Sequence, residues 1–519
     1  MRHKLRPAGA ALTCVLLTLS GCMARPAPPP VADPAGDQVV EAPAESPSTS
    51  PVAAPANGTG GRSQMTIGID TMAAGFNPHV AADDSALTQS LADLVLPSAF
   101  IGGELNTTLL VSAEVIAPAP GAAQTVRYVI AEAAQWSDGT PITGADFHYL
   151  WENMVTSPGV IEAAGYRAIT AVRVLNQGKT VEVDFSQPVA SWRDLFSDLL
   201  PSHIVNGGGA SFAQVLAETI PASAGKFMVR SVDRARGVIT LNRNDRYWGP
   251  EPATVDIVNL QEVRGSEASL VRAGQVAFVD MAPSETTLAQ VALLPGVETA
   301  FVDREVALTV VFNQQSPVLA TPQLRADVAR ILDGGVISRI AFGRSTDVAF
   351  LPPPTFTPQT LPAPTGTETA EPVVRVAADP RNAIAQAAAQ AIVDTINLAR
   401  PNGMTATLVG EMAAGGNADM FVQWWRPDDV SGYQCDSTAN VTGFCDLQVD
   451  ATISSVLAGQ LDVATATQVL AQVNARDVIT YPLAKDRRRL IVPDPAVSGV
   501  VGPKPEAGAL TTAASWQLQ

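Results

Sequence analysis

Cysteine, histidine and positive charge are all scarce in this sequence. Its 519 residues hold 4 cysteines and 4 histidines. His79, His148 and His203 lie far apart, and none neighbours Cys435 or Cys445, so the short ligand spacings of a zinc site are missing. The chain has no G-x-S-x-G, no H-E-x-x-H, no P-loop and no adjacent Cys–His pair, and the three histidines are too scattered to suggest a catalytic centre. An enzyme and a cofactor are therefore not expected. Lys and Arg number 33 against 50 Asp and Glu, a formal net charge of −17. So acidic a chain is a poor partner for nucleic acid, whose binding rests on neutralising phosphates. The densest basic spot is Arg487-Arg488-Arg489, read as a solvated strand end, with an anion contact as the alternative. A membrane-spanning run is missing too: the apolar stretch Ala8–Leu19 is 12 residues long, where a bilayer core needs about 20.

That short stretch has a different layout. Arg2, Lys4 and Arg6 precede it, and Leu19-Ser20-Gly21-Cys22 ends it. Cationic start, apolar middle and small residues at the end make a secretory signal, and the terminal tetrapeptide resembles the bacterial lipobox. The expectation is a secreted lipoprotein, cleaved before Cys22 and held at the outer face of the cytoplasmic membrane, in a periplasm-like space, by a lipid on that thiol. Cys14 leaves with the signal at 1–21. Residues 22–62 are dominated by Pro, Ala, Ser and Gly, a composition that cannot bury a core. They are expected to be a tether, roughly 35 Å in average reach if fully flexible.

From residue 63 onward, hydrophobic periodicity predicts a mixed α/β (α+β) protein. Expected strands include Met65–Ile69, Val126–Ile130, Val255–Leu260, Val306–Asn313, Val373–Ala377 and Met420–Trp425, with hairpins at 171–185 and 227–242. Expected helices include Ser85–Leu96, one opened by Thr143 as N-cap with Asp146 at its third position, Gln323–Leu332 after Pro322, Asn382–Ala399, Thr452–Leu457 and Thr465–Ile479. Residues 350–372 are Pro/Thr-rich and read as a surface excursion. In a secreted chain Cys435 and Cys445 can pair; a ring of about 11 residues would stabilise by roughly 2–3 kcal/mol.

Five segments in order resemble family 5 extracellular solute-binding proteins, the oligopeptide- and dipeptide-binding components of ABC importers. They are Trp136-Ser137-Asp138-Gly139-Thr140-Pro141-Ile142-Thr143-Gly144-Ala145-Asp146; Asn244 to Gly249 with its Asn-x-x-Tyr-Trp core; Val271 to Val276; Phe312-Asn313 with Leu324-Arg325; and Gly443 to Asp450. Within the family, Gly75-Phe76-Asn77-Pro78-His79 and Leu94 to Phe100 are most similar to the LpqW-like lipoproteins of mycolate-bearing actinobacteria.

The resemblance implies two lobes joined by crossover strands, with ligand in the cleft. The first lobe would be discontinuous, 63–305 completed by 486–519; the second would fill 306–485. It also implies a carboxylate for a peptide's amino group within a W-x-x-D segment of the second lobe. Trp425-Arg426-Pro427-Asp428 fits that spacing, with Asp429 adjacent, although Trp424 to Tyr433 match little else. Asp428, Asp429, Trp424 and Trp425 are therefore the candidate ligand residues. A surface or N-cap carboxylate is the alternative for Asp428, and alternation along the strand leaves at most one tryptophan facing the cleft. The implied activity is binding of a peptide-like solute for an ABC permease. The alternative is a non-transport regulator of phosphatidylinositol-mannoside and lipoglycan assembly, acting on a glycolipid or a membrane glycosyltransferase. A monomer is expected, with no metal.

Overall fold

The computed structural model describes residues 62–72, 75–263, 265–282, 284–358, 371–410, 418–493, 497–498 and 509–518. The expected signal, Cys22, the expected tether up to residue 61 and residues 359–370 of the Pro/Thr-rich stretch lie outside the described residues.

One mixed sheet of eleven strands runs through the described residues. Its order is Thr405–Val409, Val373–Ala378, Met420–Trp425, Val297–Phe312, Thr480–Pro493, Phe278–Met281, Gln64–Ile69, Ile257–Glu262, Val238–Arg243 and Phe227–Asp233, with Ala349–Phe350 beside Thr480–Pro493. The two central strands are the long ones, at 16 and 14 residues, and they pair antiparallel along nearly their whole length. They carry the chain between two separate apolar cores. One packs Ile67, Leu260, Phe278, Phe147, Trp136 and Trp516. The other packs Leu308, Val310, Val374 and Val376 under the helix Ala383–Ala399. That helix turns Ala385, Ala388, Ala389, Ile392 and Ile396 inward at three- and four-residue spacing, the stripe a helix needs to cover a sheet. Each buried isoleucine contributes about 1.5–3 kcal/mol. The architecture is the expected two-lobed α/β one.

A second, four-stranded sheet belongs to the first core, in the order Leu110–Ile116, Gln124–Ile130, Thr180–Phe185, Ile169–Leu175. The helix Gly144–Thr156 begins beside it with a reciprocal cap. Thr143 Oγ1 accepts from Ala145 N–H at 3.3 Å, and Asp146 Oδ2 accepts from Thr143 N–H at 2.9 Å. The preceding turn needs Gly139, whose φ is +93°, while Trp136 is fully buried. This motif therefore builds the fold and stays out of the cleft.

Three sequence expectations require correction. Strand Val306–Asn313 begins nine residues earlier, at Val297, because its outer half carries blocks of polar residues, Glu298-Thr299 and Asp303-Arg304-Glu305, that break the two-residue period. The helix Gly334–Phe342, capped by Asp333, was not expected; its two leading glycines hide it. And Arg487 and Arg488 of the basic cluster are not a solvated strand end. Arg488 has only 8 % of its side chain exposed and donates to Asp280 at 2.8 Å and Asp70 at 3.2 Å. Arg487 holds Asp303 through two hydrogen bonds.

A bulge marks the middle of the crossover pair. Asp303 faces Arg487 and Ala307 faces Lys485, so residues 304–306 all stand opposite Asp486 alone. Such an insertion bends the strand and re-aims a side chain. Here it turns Arg304 inward, to 1 % exposure.

The interlobe cleft as candidate ligand site

Arg304 is the start of a charge chain that crosses the cleft. Its Nη1 lies 3.1 Å from Asp486 Oδ2 and its Nη2 3.0 Å from Asp84 Oδ1. Asp84 precedes Ser85, the N-cap of helix Ala86–Val95 in the first lobe. From the second lobe, Arg426 reaches the same carboxylate with Nε at 3.2 Å and Nη2 at 3.1 Å. Its Nη1 lies 3.3 Å from Glu162 Oε1. Burial alone would raise the Asp84 carboxyl, but Arg304 and Arg426 together hold it below the usual carboxylate range. Two guanidiniums thus share one buried acid, the arrangement buried charge requires.

Further contacts stitch the lobes together beside this chain. Asp429 accepts from Glu162 N–H at 2.8 Å while capping the turn Val430–Tyr433 through Ser431 N–H at 2.9 Å. Gly159 N–H donates to Thr438 O at 2.8 Å, and Thr438 Oγ1 to Met154 O at 2.7 Å. Arg167 donates to the carbonyls of Cys435 and Asp436. Cys435 and Cys445 are joined, with Cα atoms 4.6 Å apart, so the loop that receives these donors is closed on itself.

The inner part of the cleft is consequently filled. Beside Arg426 there remains a void of about 30 Å³, bordered by Asp84, Gln423, Trp424, Trp425 and Gly432, room for a water or two. Both tryptophans border it. Their rings pack apart: Trp424 lies 6.2 Å from Phe342 and Trp425 meets Tyr433 edge-on at 5.8 Å.

Outward of Arg426 the cleft opens into a cavity of about 500 Å³. Glu162, Asp194, Asp198, Asp428, Asp429 and Asp462 line it, together with His79, Gln89, Tyr166, Ser191 and Ser197. Arg426 is the one cationic side chain in that described lining. Desolvation, and then repulsion from Asp429, Asp84 and Asp428, push Glu162 up to about 7 against the pull of Arg426. Its side chain still meets cavity water at 62 % exposure, which screens these interactions. Glu162 and Asp198 also hold left-handed backbone, φ +58° and +48°, a strain that non-glycine residues keep where the surroundings impose it. Burial lowers His79 to about 4, against a hydrogen bond to Asp198 O at 3.0 Å; the ring is neutral at physiological pH.

Of the sequence candidates, Asp428 and Asp429 line the cavity, while Trp424 and Trp425 border the inner void. Asp428 is exposed and makes no hydrogen bond or ion pair among the described residues; Asp429 is the N-cap. Sequence reasoning missed Asp84, Glu162, Arg304 and Asp486. The bulge that aims Arg304 has no signature in one sequence. The pair Asp83-Asp84 ahead of a helix cap was the only usable hint.

The model of "Bacterial extracellular solute-binding proteins, family 5 Middle" matches residues 122–391. The chain belongs to this family. It is 35 % identical over 354 residues to "Probable monoacyl phosphatidylinositol tetramannoside-binding protein LpqW" of Mycobacterium tuberculosis, covering 66 % of this chain and 52 % of that one. It is 27 % identical over 299 residues to the oligopeptide-binding protein OppA of Mycobacterium bovis, covering 54 % and 49 %. It spans about half the length of the curated relatives it matches. Among solved structures, the oligopeptide-binding protein AppA of Bacillus subtilis, in complex with a nonapeptide, superposes with a TM-score of 0.65 at 14 % identity, over 88 % of this chain and 99 % of that one. That likeness is one of fold. Membership places the chain among extracellular proteins whose relatives bind solutes.

Proposed function

We propose that this chain binds, without chemical conversion, a solute rich in hydrogen-bond donors in the outer interlobe cavity, and that a glycan headgroup is that solute. The observation that carries the reading is the lining itself. Carboxylates and neutral polar groups surround about 500 Å³ of space, and the only guanidinium there is already spent on Asp84 and Glu162. Sugar hydroxyls donate well to carboxylates, whereas a ligand bearing a free carboxylate would be buried without a partner cation, which is costly. The name of the LpqW relative, a tetramannoside-binding protein, supports the same choice. On this reading the chain is a regulator of phosphatidylinositol-mannoside and lipoglycan assembly, meeting a glycolipid or a membrane glycosyltransferase.

The second reading, peptide capture for an ABC permease, is favoured by one observation: Asp428, in the W-x-x-D position, stands exposed in the cavity wall. A peptide ammonium could be met there. The OppA relative supports it.

Both readings share a monomeric lipoprotein held by Cys22, with lobes at 63–305 plus 486–519 and at 306–485 and a structural bridge between Cys435 and Cys445. The two separate cores and the bulge at 304–306 support that division. The test is calorimetric titration of the protein with mannotetraose and with a peptide library. Saturable heat from the sugar alone supports the glycan reading. Binding of peptides alone replaces it with import, and heat from neither refutes both.

A further inference from the structure

Asp84 is the innermost acid of the cleft and lies 4 % exposed. A carboxylate so placed demands cationic donors. Arg304 supplies one, but it is bound at the same time to Asp486 on the crossover strand. The second comes from Arg426, whose guanidinium makes a two-point contact with Asp84, touches Glu162 and keeps 14 % exposure. It points from the rim of the cavity into its floor. Beyond it only the 30 Å³ void remains, too small for any organic cation.

We infer that Arg426 is a specificity-determining residue: a built-in cation that occupies the acidic floor of the cleft and so denies it to amine- or guanidine-bearing ligands. The inference deepens the cavity reading above and rests on it for its biological meaning. Asp84 and Glu162 form a paired-acid receptor whose occupant is part of the chain. A solute then meets only the outer carboxylates and neutral groups, and gains nothing from a deep positive charge. Removing the guanidinium frees a space of its own shape, walled by the same two carboxylates. Hydrogen bonds to charged groups contribute about ten- to hundred-fold each in affinity, so that vacated floor should take up a small guanidinium ion.

The experiment compares the full chain, wild type and Arg426→Ala, by calorimetry and thermal melting with methylguanidinium as probe and sodium as the ionic control. The wild type should give no saturable heat and no change in Tm. The variant should melt lower than wild type and recover part of that loss with methylguanidinium, binding it at least about tenfold more tightly than wild type does. If the alanine variant does not fold by itself, it is refolded with and without methylguanidinium, and recovery of the native signal only with the probe is the supporting result. Equal response of wild type and variant overturns the inference, as does a folded variant that ignores methylguanidinium. Mannotetraose is titrated in parallel. Sugar binding without any gain for the variant overturns the role of Arg426 and leaves the cavity reading standing. A gain for the variant without sugar binding by wild type establishes the role and removes the glycan reading.

Discussion

Arg304 and Asp84 meet at 3.0 Å although they are separated by 220 residues, and each is almost wholly withdrawn from water, at 2 % and 4 % side-chain exposure. Arg304 sits in the bulge of one crossover strand and also holds Asp486 on the other. Its replacement by methionine keeps the apolar stem, takes the guanidinium from Asp486 and leaves Asp84 to Arg426 alone. Stability should fall by about 3–5 kcal/mol, the range for breaking a buried pair from one side. Arg487→Met, which removes a half-exposed pair with Asp303, should cost about 1 kcal/mol or less. Denaturant unfolding of both variants checks the contrast; equal losses would mean that the bulge charge is not structural.

How much of this could be read beforehand depends on how local the chemistry is. The Thr143–Asp146 cap is made within three residues. In the Asn-x-x-Tyr-Trp segment Asn244 Oδ1 accepts from Arg246 N–H at 3.1 Å. Turns and caps of this kind leave their residues in fixed order, so the fold was legible. The cleft chain was not. Arg426 finds Asp84 across 342 residues, and only the sheet order brings them together. Composition announced an acidic protein, but not that its one cavity cation would be consumed internally. Asp428 and Asp429, adjacent and alike on paper, proved to have different surroundings because only Asp429 caps the next turn.

His79 supplies a pH dependence of known sign. Burial lowers its folded pKa to about 4, from an ordinary histidine value of 6.5. A histidine kept neutral by the fold contributes stability that is fully present above 6.5 and lost as pH falls from there towards 4. The loss should approach about 3 kcal/mol at the lower end. Histidine-labelled NMR provides the direct check, since His79, His148 and His203 are the only histidines after His3. The His79 ring should stay neutral at pH 5; a protonated signal there would refute the burial argument.

The bridge between Cys435 and Cys445 fastens the loop on which Arg167 and Gly159 dock. Substituting both by serine should lower stability by about 2–3 kcal/mol on the chain-entropy account. On the proposed cleavage before Cys22, Cys22 is the one other cysteine left in the chain. With the Cys22 sulfur held as a lipid thioether, the processed protein should give no titratable thiol before reduction and two after it. A thiol assay under denaturing conditions, before and after reductant, distinguishes this from two free cysteines.

Neighbouring acids in the cavity wall should respond oppositely to removal. Asp429 accepts from Glu162 N–H across the cleft and from Ser431 N–H and Oγ within its own turn. Asp429→Ala leaves these donors without their acceptor, at about 1–3 kcal/mol, and unties one of the bonds that hold the lobes together. Asp428→Asn removes an exposed charge that makes no hydrogen bond or ion pair among the described residues, so its melting should stay within about 0.5 kcal/mol of wild type. Any effect of Asp428→Asn should instead appear in ligand affinity. A weakened amine-bearing peptide with an unchanged sugar would favour import; a weakened sugar, through loss of a hydroxyl acceptor, would favour the glycan reading. Small-angle scattering on both variants separates the two roles. Asp429→Ala should enlarge the radius of gyration, and Asp428→Asn should leave it where it was. An expanded Asp428→Asn would show that this carboxylate, too, serves closure rather than recognition.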